Sequence, residues 1–330
     1  MMYYEVHYLD VKDADSIVIR YEDDNNKYIV LIDAGNVGDS NKIKQYIWRH
    51  WNTHVIDLAI CTHPDSDHKG GFFDLLNDPD MTFKEFWINT PDDVIPEDTY
   101  KQIYPKGNWL YHCRKCYSHP TDEYSPNLVT LALNKCNQRV YPAYKGKYHT
   151  EIPIKVVGPT KDFYLPLAWT ILENNKRAKD SDSSLYEEFG YFSDIQAKSS
   201  IDNEADDDSP TNAGSIILLF EPTEYGRFLL MGDANRAAIS DTLNNNSNLS
   251  GANIKVPHHG SKHNMTSELI DTLAPNCAII SAKGTRKHPS RGIVHCLSKH
   301  CNVYSTHISG DLYHSPGVSQ NPATPLKKKQ

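Results

Sequence analysis

Hydrophobic and polar positions along the chain fall into two similar halves. Tyr3 to Leu9, Ser16 to Tyr21 and Lys27 to Ile32 are short β-rich runs separated by acidic and Asn-rich turns, and they predict strands. A helical pattern follows over Asn41 to Trp51, with Ser40 in the N-cap position. Val55 to Cys61 (VIDLAIC) predicts a buried strand, and an apolar helix starts at Phe72. Residues 90–150 show little period until a helix at Asn127 to Cys136, and Ile152 to Val157 is a further strand. In the second half, Ser215 to Phe220 and Arg227 to Met231 predict a hairpin, and Arg236 to Leu243 a helix. Strands at Asn253 to Val256 and Cys277 to Ser281 follow, with helices near 266–273 and 290–300. Asn302 to Ser305 and Asp311 to His314 predict a final hairpin. A strand-rich stretch followed by strand–helix alternation, twice over, predicts an α/β fold of two sheets packed face to face with helices outside.

Composition supports one sizeable core and adds a charge asymmetry. Of 330 residues, 39% are hydrophobic and 23% charged, which excludes collagen-like, coiled-coil and globally disordered chains. No run approaches the roughly 18 apolar residues needed to span a bilayer, and MMYYEVHYLD lacks the basic and apolar regions of a secretion signal. The odd count of seven cysteines points to a reduced, cytoplasmic setting. The net charge of −8 argues against coating nucleic acid by bulk charge. Residues 251–330, however, hold ten Lys or Arg against three acids, a locally basic face on an acidic body. Lys327 to Lys329 belong to an expected flexible basic tail over 316–330. Residues 178–210 read as an acidic surface insertion, either a solvated loop or a partner-binding or lid segment. The whole of 1–330 is expected to form a single domain.

The strongest chemical signal is His63-Pro64-Asp65-Ser66-Asp67-His68, four potential metal ligands in six positions on a loop leaving a buried strand. Such a packing of carboxylates and imidazoles is costly without a cation, because like charges a few ångströms apart repel. A solvated acidic turn is the bland alternative. Asp33, Asp233 (in Met231-Gly232-Asp233) and the pair His258-His259 also close predicted strands, and Lys287-His288-Pro289 opens a predicted helix. Strand ends on one edge of a layered sheet fold share a site.

These pieces resemble the metallo-β-lactamase fold superfamily, and within it the hydrolase domain of the ComEC competence proteins and their stand-alone soluble relatives. The matching segments are Leu9-Asp10-Val11-Lys12-Asp13-Ala14-Asp15-Ser16, Leu31-Ile32-Asp33-Ala34-Gly35, Thr62 to Gly71, Val157-Gly158-Pro159, Phe228 to Asp233, Lys255 to Ser261 and Lys287-His288-Pro289. The resemblance implies a four-layer αββα sandwich carrying one or two divalent ions. It implies a first metal position of His63, Asp65 and a shared Asp233, and a second of Asp67, His68, Asp233 and either His258 or His259. Asp33 is expected to orient a ligand histidine, and His288 to donate a proton to the leaving oxygen or to hydrogen-bond a phosphate.

Two departures matter. Asp65 stands where the superfamily's usual loop has a second histidine, as in the ComEC branch, and Asn212-Ala213-Gly214-Ser215 replaces a further histidine segment. Carboxylate in place of imidazole favours harder ions, so Mn²⁺ or Mg²⁺ is expected to compete with Zn²⁺. The Asp13-Ala14-Asp15 turn also departs from the family's pattern and leaves the role of Asp15 open.

A cation held by this cluster lowers the pKa of water from about 15.7 towards 7 and supplies hydroxide at neutral pH. Lys255, Lys262, Lys283, Arg286, Lys287 and Arg291 flank the second-half motifs and suit a phosphate backbone. The expected activity is therefore phosphodiester hydrolysis, with DNA as substrate and Ser261, Lys262, Arg286 and Lys287 contacting it. A phosphodiesterase for cyclic or signalling nucleotides, and a metal-stabilised binding module without turnover, remain the alternatives. A second candidate, His112-Cys113-Arg114-Lys115-Cys116-Tyr117-Ser118-His119, has one C-x-x-C core between histidines. Without a second C-x-x-C it reads as free thiols before it reads as a structural zinc site.

Overall fold

A computed structural model describes residues 2–174, 193–223, 226–285 and 287–316. Its strands are β1 (Tyr3–Tyr8), β2 (Ile17–Glu22), β3 (Lys27–Ile32), β4 (Val55–Ile56), β5 (Leu58–Cys61), β6 (Thr82–Phe83), β7 (Phe86–Ile88), β8 (Val140–Tyr141), β9 (Ile154–Gly158), β10 (Ile217–Phe220), β11 (Phe228–Leu230), β12 (Asn253–Lys255), β13 (Cys277–Ile280), β14 (Asn302–Ser305) and β15 (Leu312–His314). They form a seven-stranded sheet in the order β15-β1-β2-β3-β5-β7-β8, a six-stranded sheet in the order β14-β13-β12-β11-β10-β9, and a small β4-β6 pair. Each large sheet is antiparallel at one side and parallel at the other. β3, β5, β7 and β8 run parallel in the first, and β11, β12, β13 and β14 in the second.

Alternation along the strands builds the layers. In β3, Val30 and Ile32 point into a core shared by both sheets, with Ile19, Leu58, Trp87, Val156, Leu218 and Phe228. Ile29 and Leu31 point the other way, onto Ile43 and Ile47 of the helix Ser40–Trp51 and Phe72 and Leu75 of the helix Ser66–Asn77. On the far side, Leu219, Leu229, Ile254 and Ile280 pack against Ala238, Ile239, Ile270 and Ile293 of the outer helices. Strands buried on both faces explain why the sequence reads as near-continuous apolar runs such as YIVLI and ILLF. The result is the expected four-layer αββα sandwich.

Two sequence expectations are corrected. The final hairpin does not form: β14 pairs with β13 in the second sheet, whereas β15 crosses to pair with β1 in the first. Period alone cannot tell a hairpin from two strands that exchange sheets. In the described part of the acidic 178–210 segment, residues 194–202 are a helix and not the expected loop. The helix Asp194–Asp202 buries Ala197 and Ile201 in the second outer core, beside the helix Arg291–Leu297. Residues 178–192 of the expected insertion and 317–330 of the expected tail lie outside the described residues. No described helix is long and apolar enough to cross a membrane.

Candidate metal centre

The candidate site lies where the parallel strands of both sheets end. β3 delivers Asp33, β5 delivers Thr62 and His63, β11 leads to Asp233, β12 to His258 and His259, and β13 to the segment holding His288. Carboxyl ends of parallel strands are where open α/β sheets gather ligands, because the chain leaves there in loops free of ladder hydrogen bonds. The two sheets are tied at this edge, since Ile216 N–H donates to Thr62 O at 3.0 Å, and within the second sheet Asp233 N–H donates to Ser215 Oγ at 3.2 Å. Gly70 and Gly71 let the helix Ser66–Asn77 press on the loop after β3. A Cβ on Gly71 would sit 2.1 Å from Ala34 O, and one on Gly70 2.3 Å from Val37 N.

Four imidazoles converge, each held at Nδ1 and presenting Nε2 inward. His68 Nδ1 donates to Asp33 Oδ2 at 2.8 Å, and Asp33 also accepts from Thr62 N at 2.8 Å and Thr62 Oγ1 at 2.7 Å. His259 Nδ1 donates to Ser281 O at 2.9 Å, His258 Nδ1 to Asp207 Oδ2 at 2.9 Å, and His63 Nδ1 lies 3.1 Å from Thr62 Oγ1. On the inner side, His68 Nε2 is 3.3 Å from Asp233 Oδ1 and 3.7 Å from Asp67 Oδ2. His259 Nε2 is 3.1 Å from Asp67 Oδ2, and the Nε2 atoms of His258 and His259 each lie 4.0 Å from Asp233 Oδ2. Asp233 thus turns one oxygen to His68 and the other to the His258-His259 pair. Both of these histidines sit at positive φ, 46° and 54°, a conformation that costs about 1–2 kcal/mol for a residue with a Cβ.

The donor set fits a divalent cation. Asp67, His68, Asp233 and His259 offer ligand atoms that all lie within 4.8 Å of one another. His63 Nε2, His68 Nε2 and Asp233 Oδ1 are buried with no hydrogen-bond partner, which is costly unless something else satisfies them. Without an ion, protons do the neutralising. Burial pushes His258 down, but Asp233 and Asp207 outweigh it and take it up to about 9. His68 and His259 are raised in the same way, against burial, by Asp233 first and then by their other acidic neighbours. Burial opposes the charge of Asp67 and Asp233, yet the imidazoles, His68 first, hold both below the usual carboxylate range.

The remaining expected residues are distributed unevenly. Asp65 ends the extended segment before the helix, and its Oδ1 accepts from Thr211 Oγ1 at 2.9 Å. His63 lies beside His68 with ring centroids 4.1 Å apart and the ring planes tilted by 52°. His288 faces His258 at 5.5 Å and His259 at 6.1 Å between ring centroids. Burial and then those two imidazoles push it down to about 3, so it is neutral at pH 7.

The basic face needs revision. Lys255 is fully buried and not a surface cation. Its Nζ pairs with Asp15, donates to Gly232 O at 3.0 Å and lies 3.6 Å from Asp233 Oδ1. Lys262 Nζ pairs with Glu204 at 2.8 Å. Ser261 is buried, and its Oγ accepts from His263 N at 3.2 Å, which suits a turn and not a substrate contact. Lys287 is exposed, and Arg286 lies outside the described residues.

Three side chains that sequence reasoning left out or open belong to this centre. Asp15, brought in by the β1–β2 connection, lies under His68 and His259 at 3.9 and 4.0 Å. Asp207 and Asn264 hold His258. The segment His112 to His119 does not assemble as a metal site. His112 bonds to Tyr100, His119 Nδ1 accepts from Thr121 N and Asp122 N, and Cys113 and Cys116 are free thiols.

No protein-family model matches the chain. ComE operon protein 3 of Bacillus subtilis (strain 168) is 33% identical over 99 residues, which span 29% of this chain and 13% of that protein. Among solved structures, a subclass B3 metallo-beta-lactamase from a soil metagenome library shares 10% identity at a TM-score of 0.38, over 89% of this chain and 88% of that one. A diphosphatase from the PhnP family shares 10% identity at a TM-score of 0.38, over 96% and 99%. With two packed sheets between helical layers and a histidine–aspartate loop at the carboxyl ends of their parallel strands, the chain has the four-layer arrangement of the metallo-β-lactamase fold.

Proposed function

We propose that the protein is a metal-dependent hydrolase of phosphodiesters, with DNA as its substrate. The observation that carries the reading is the set of four imidazoles restrained at Nδ1, with the Nε2 atoms of His68, His258 and His259 within 4.0 Å of Asp67 or Asp233 and three ligand atoms left without a partner. His63, Asp65, Asp67, His68, Asp233, His258 and His259 would hold one or two divalent ions. Bound there, such ions supply Lewis acidity and a nucleophilic water at neutral pH. Asp33 keeps His68 in the tautomer with Nε2 bare, and Ser281 O does the same for His259. His288, facing His258 and His259, hydrogen-bonds a phosphate oxygen or donates a proton to the leaving oxygen. Asp65, and Asn212 in place of a histidine, favour Mn²⁺ or Mg²⁺ over Zn²⁺.

A small cyclic or signalling nucleotide is the second reading, and one observation favours it. Lys255 of the expected basic face and Lys262, an expected phosphate contact, are committed to Asp15 and Glu204. Lys283 and Lys287 are exposed. Hydrolysis of linear DNA, circular DNA and cyclic nucleotides, each with Mn²⁺, Mg²⁺ or Zn²⁺ and with chelator, tests both readings. Chelator-sensitive cleavage of either DNA supports the first, and cleavage of cyclic nucleotides alone supports the second. No turnover on any of them with any metal overturns the enzyme reading.

A further inference from the structure

Residues 202–212 cross the rim of the metal centre, and their acidic side chains are used one after another. The Asp202 carboxylate accepts from Ser267 N and Ser267 Oγ, each at 2.7 Å, at the start of the helix Ser267–Leu273. Glu204 pairs with Lys262, and its backbone O accepts from Arg236 Nη1 at 2.7 Å. Asp206 accepts from Arg236 N at 3.0 Å and Ala237 N at 3.3 Å, capping the helix Arg236–Asn245. Asp207 turns inward. Its Oδ2 accepts from Asn212 Nδ2 at 2.7 Å, His258 Nδ1 at 2.9 Å and Asn264 Nδ2 at 3.2 Å, while its backbone O accepts from Asn235 Nδ2 at 2.8 Å.

His258 needs such a partner. Its backbone is in the left-handed region, its ring is one of the less buried in the centre, and no backbone carbonyl holds its Nδ1 as Ser281 O holds that of His259. Asp207 and Asn264 Oδ1, the latter at 3.1 Å, are the acceptors that keep the proton on Nδ1 and leave Nε2 for Asp233's side of the site. We infer that Asp207 is the positioning residue for His258, through which the order of residues 202–212 is coupled to metal occupancy. The inference rests on the cation reading of the centre. By reciprocity, if an ordered segment raises metal affinity, bound metal stabilises the segment by the same factor.

Calorimetric titration of the full chain with Mn²⁺, paired with hydrogen exchange, tests it. Asp207→Asn removes the charge that holds the ring and is expected to weaken Mn²⁺ binding roughly 10–100-fold, the usual cost of losing the group behind a ligating histidine. The visible spectrum of the Co²⁺-loaded variant should also differ from wild type, which a loss of fold stability alone would not produce. In the wild-type protein, with no substitution at all, Mn²⁺ should slow exchange at residues 202–212. Wild-type Mn²⁺ affinity in Asp207→Asn, or unchanged exchange at 202–212 on loading the wild-type protein, overturns the inference while leaving the metal centre intact. Failure of the wild-type protein to bind Mn²⁺, Co²⁺ or Zn²⁺ overturns the metal centre and this inference with it.

Discussion

Residues 63–68 and 112–119 each carry two histidines with two further ligand-type side chains, aspartates in the first and cysteines in the second, yet they end in opposite states. In the first run, Thr62 and Asp33 take up the Nδ1 atoms of His63 and His68, the Nε2 of His68 faces Asp67 and Asp233, and that of His63 is buried without a partner. In the second, His112 is used by Tyr100, His119 by the backbone of the turn that follows it, and Cys113 is sealed into a small apolar cluster with Tyr100 and Tyr164. Burial pushes the Cys113 and Cys116 thiols up to about 12, the opposite of what a thiolate ligand needs. Ligand-type residues make a centre only where other elements supply a second partner for each ring and leave the inner atom unpaired. At 63–68, Thr62 and Asp33 at strand ends of the first sheet do this, and the second sheet adds Asp233 and His259. At 112–119, the elements in reach offer Lys69 Nζ to Cys116 O and the Phe73 ring to His119 instead.

The largest expected effect comes from removing the shared carboxylates. Asp233→Ala and Asp67→Ala should each reduce hydrolysis to the metal-free background and lower bound metal measured by elemental analysis. Full turnover with unchanged metal content in either variant would erase the contrast with 112–119. One step outward, Asp33→Asn keeps the shape but weakens the hold on His68 Nδ1. It should cost roughly 10–100-fold in metal affinity by titration, with a smaller effect on the thermal midpoint of the metal-free protein.

Proton linkage gives the next effect. Metal must displace the proton on His258 Nε2 whenever pH is below its folded value of about 9. Apparent affinity should therefore climb about tenfold per pH unit for one displaced proton and flatten above pH 9, read by calorimetry in buffers of different ionisation enthalpy. The fold itself moves the other way. A pKa raised from 6.5 to about 9 contributes stability that is present below pH 6.5 and lost as pH rises through 9, so the metal-free thermal midpoint should fall across that window. A pH-independent affinity between 6 and 9 would show that the centre is not proton-filled when empty of metal.

Smaller still, Lys287→Met should reduce the slope of log binding against log salt by about 0.9 if Lys287 meets one phosphate of duplex DNA. A wild-type slope near zero would move the substrate to the small-nucleotide class. The smallest effect is expected at the second run. Cys113→Ser combined with Cys116→Ser should leave metal stoichiometry and turnover at wild-type values, and loss of a bound zinc in that variant would make 112–119 a second centre after all.

Much of this could be read from order and period. Runs such as YIVLI and LAIC mark doubly buried strands, because a strand with apolar cores on both faces tolerates apolar side chains on successive residues, whereas the run expected as one strand over Val55 to Cys61 breaks at Asp57 into β4 and β5 of different sheets. The loop 63–68, the Gly-Asp turn and the His-His pair each follow such a run. A strand end is a local property, so their gathering at one edge was legible before any coordinates. Three things were decided only by tertiary structure. Lys255 has the composition of a surface cation, but its place at the end of β12 puts Nζ inside, where Asp15 outweighs the cost of burial. β14 and β15 look like a hairpin, yet β14 pairs with β13 in the second sheet, 25 residues away, and β15 with β1 in the first, 304 to 308 residues away. Asp207 sits in an acid-rich stretch that any local rule assigns to solvent. Its partners His258, Asn264 and Asn235 are 51, 57 and 28 residues away. Charge in a sequence has no direction, and only the packing of the helix Asp194–Asp202 against the helix Arg291–Leu297 aims that carboxylate at an imidazole.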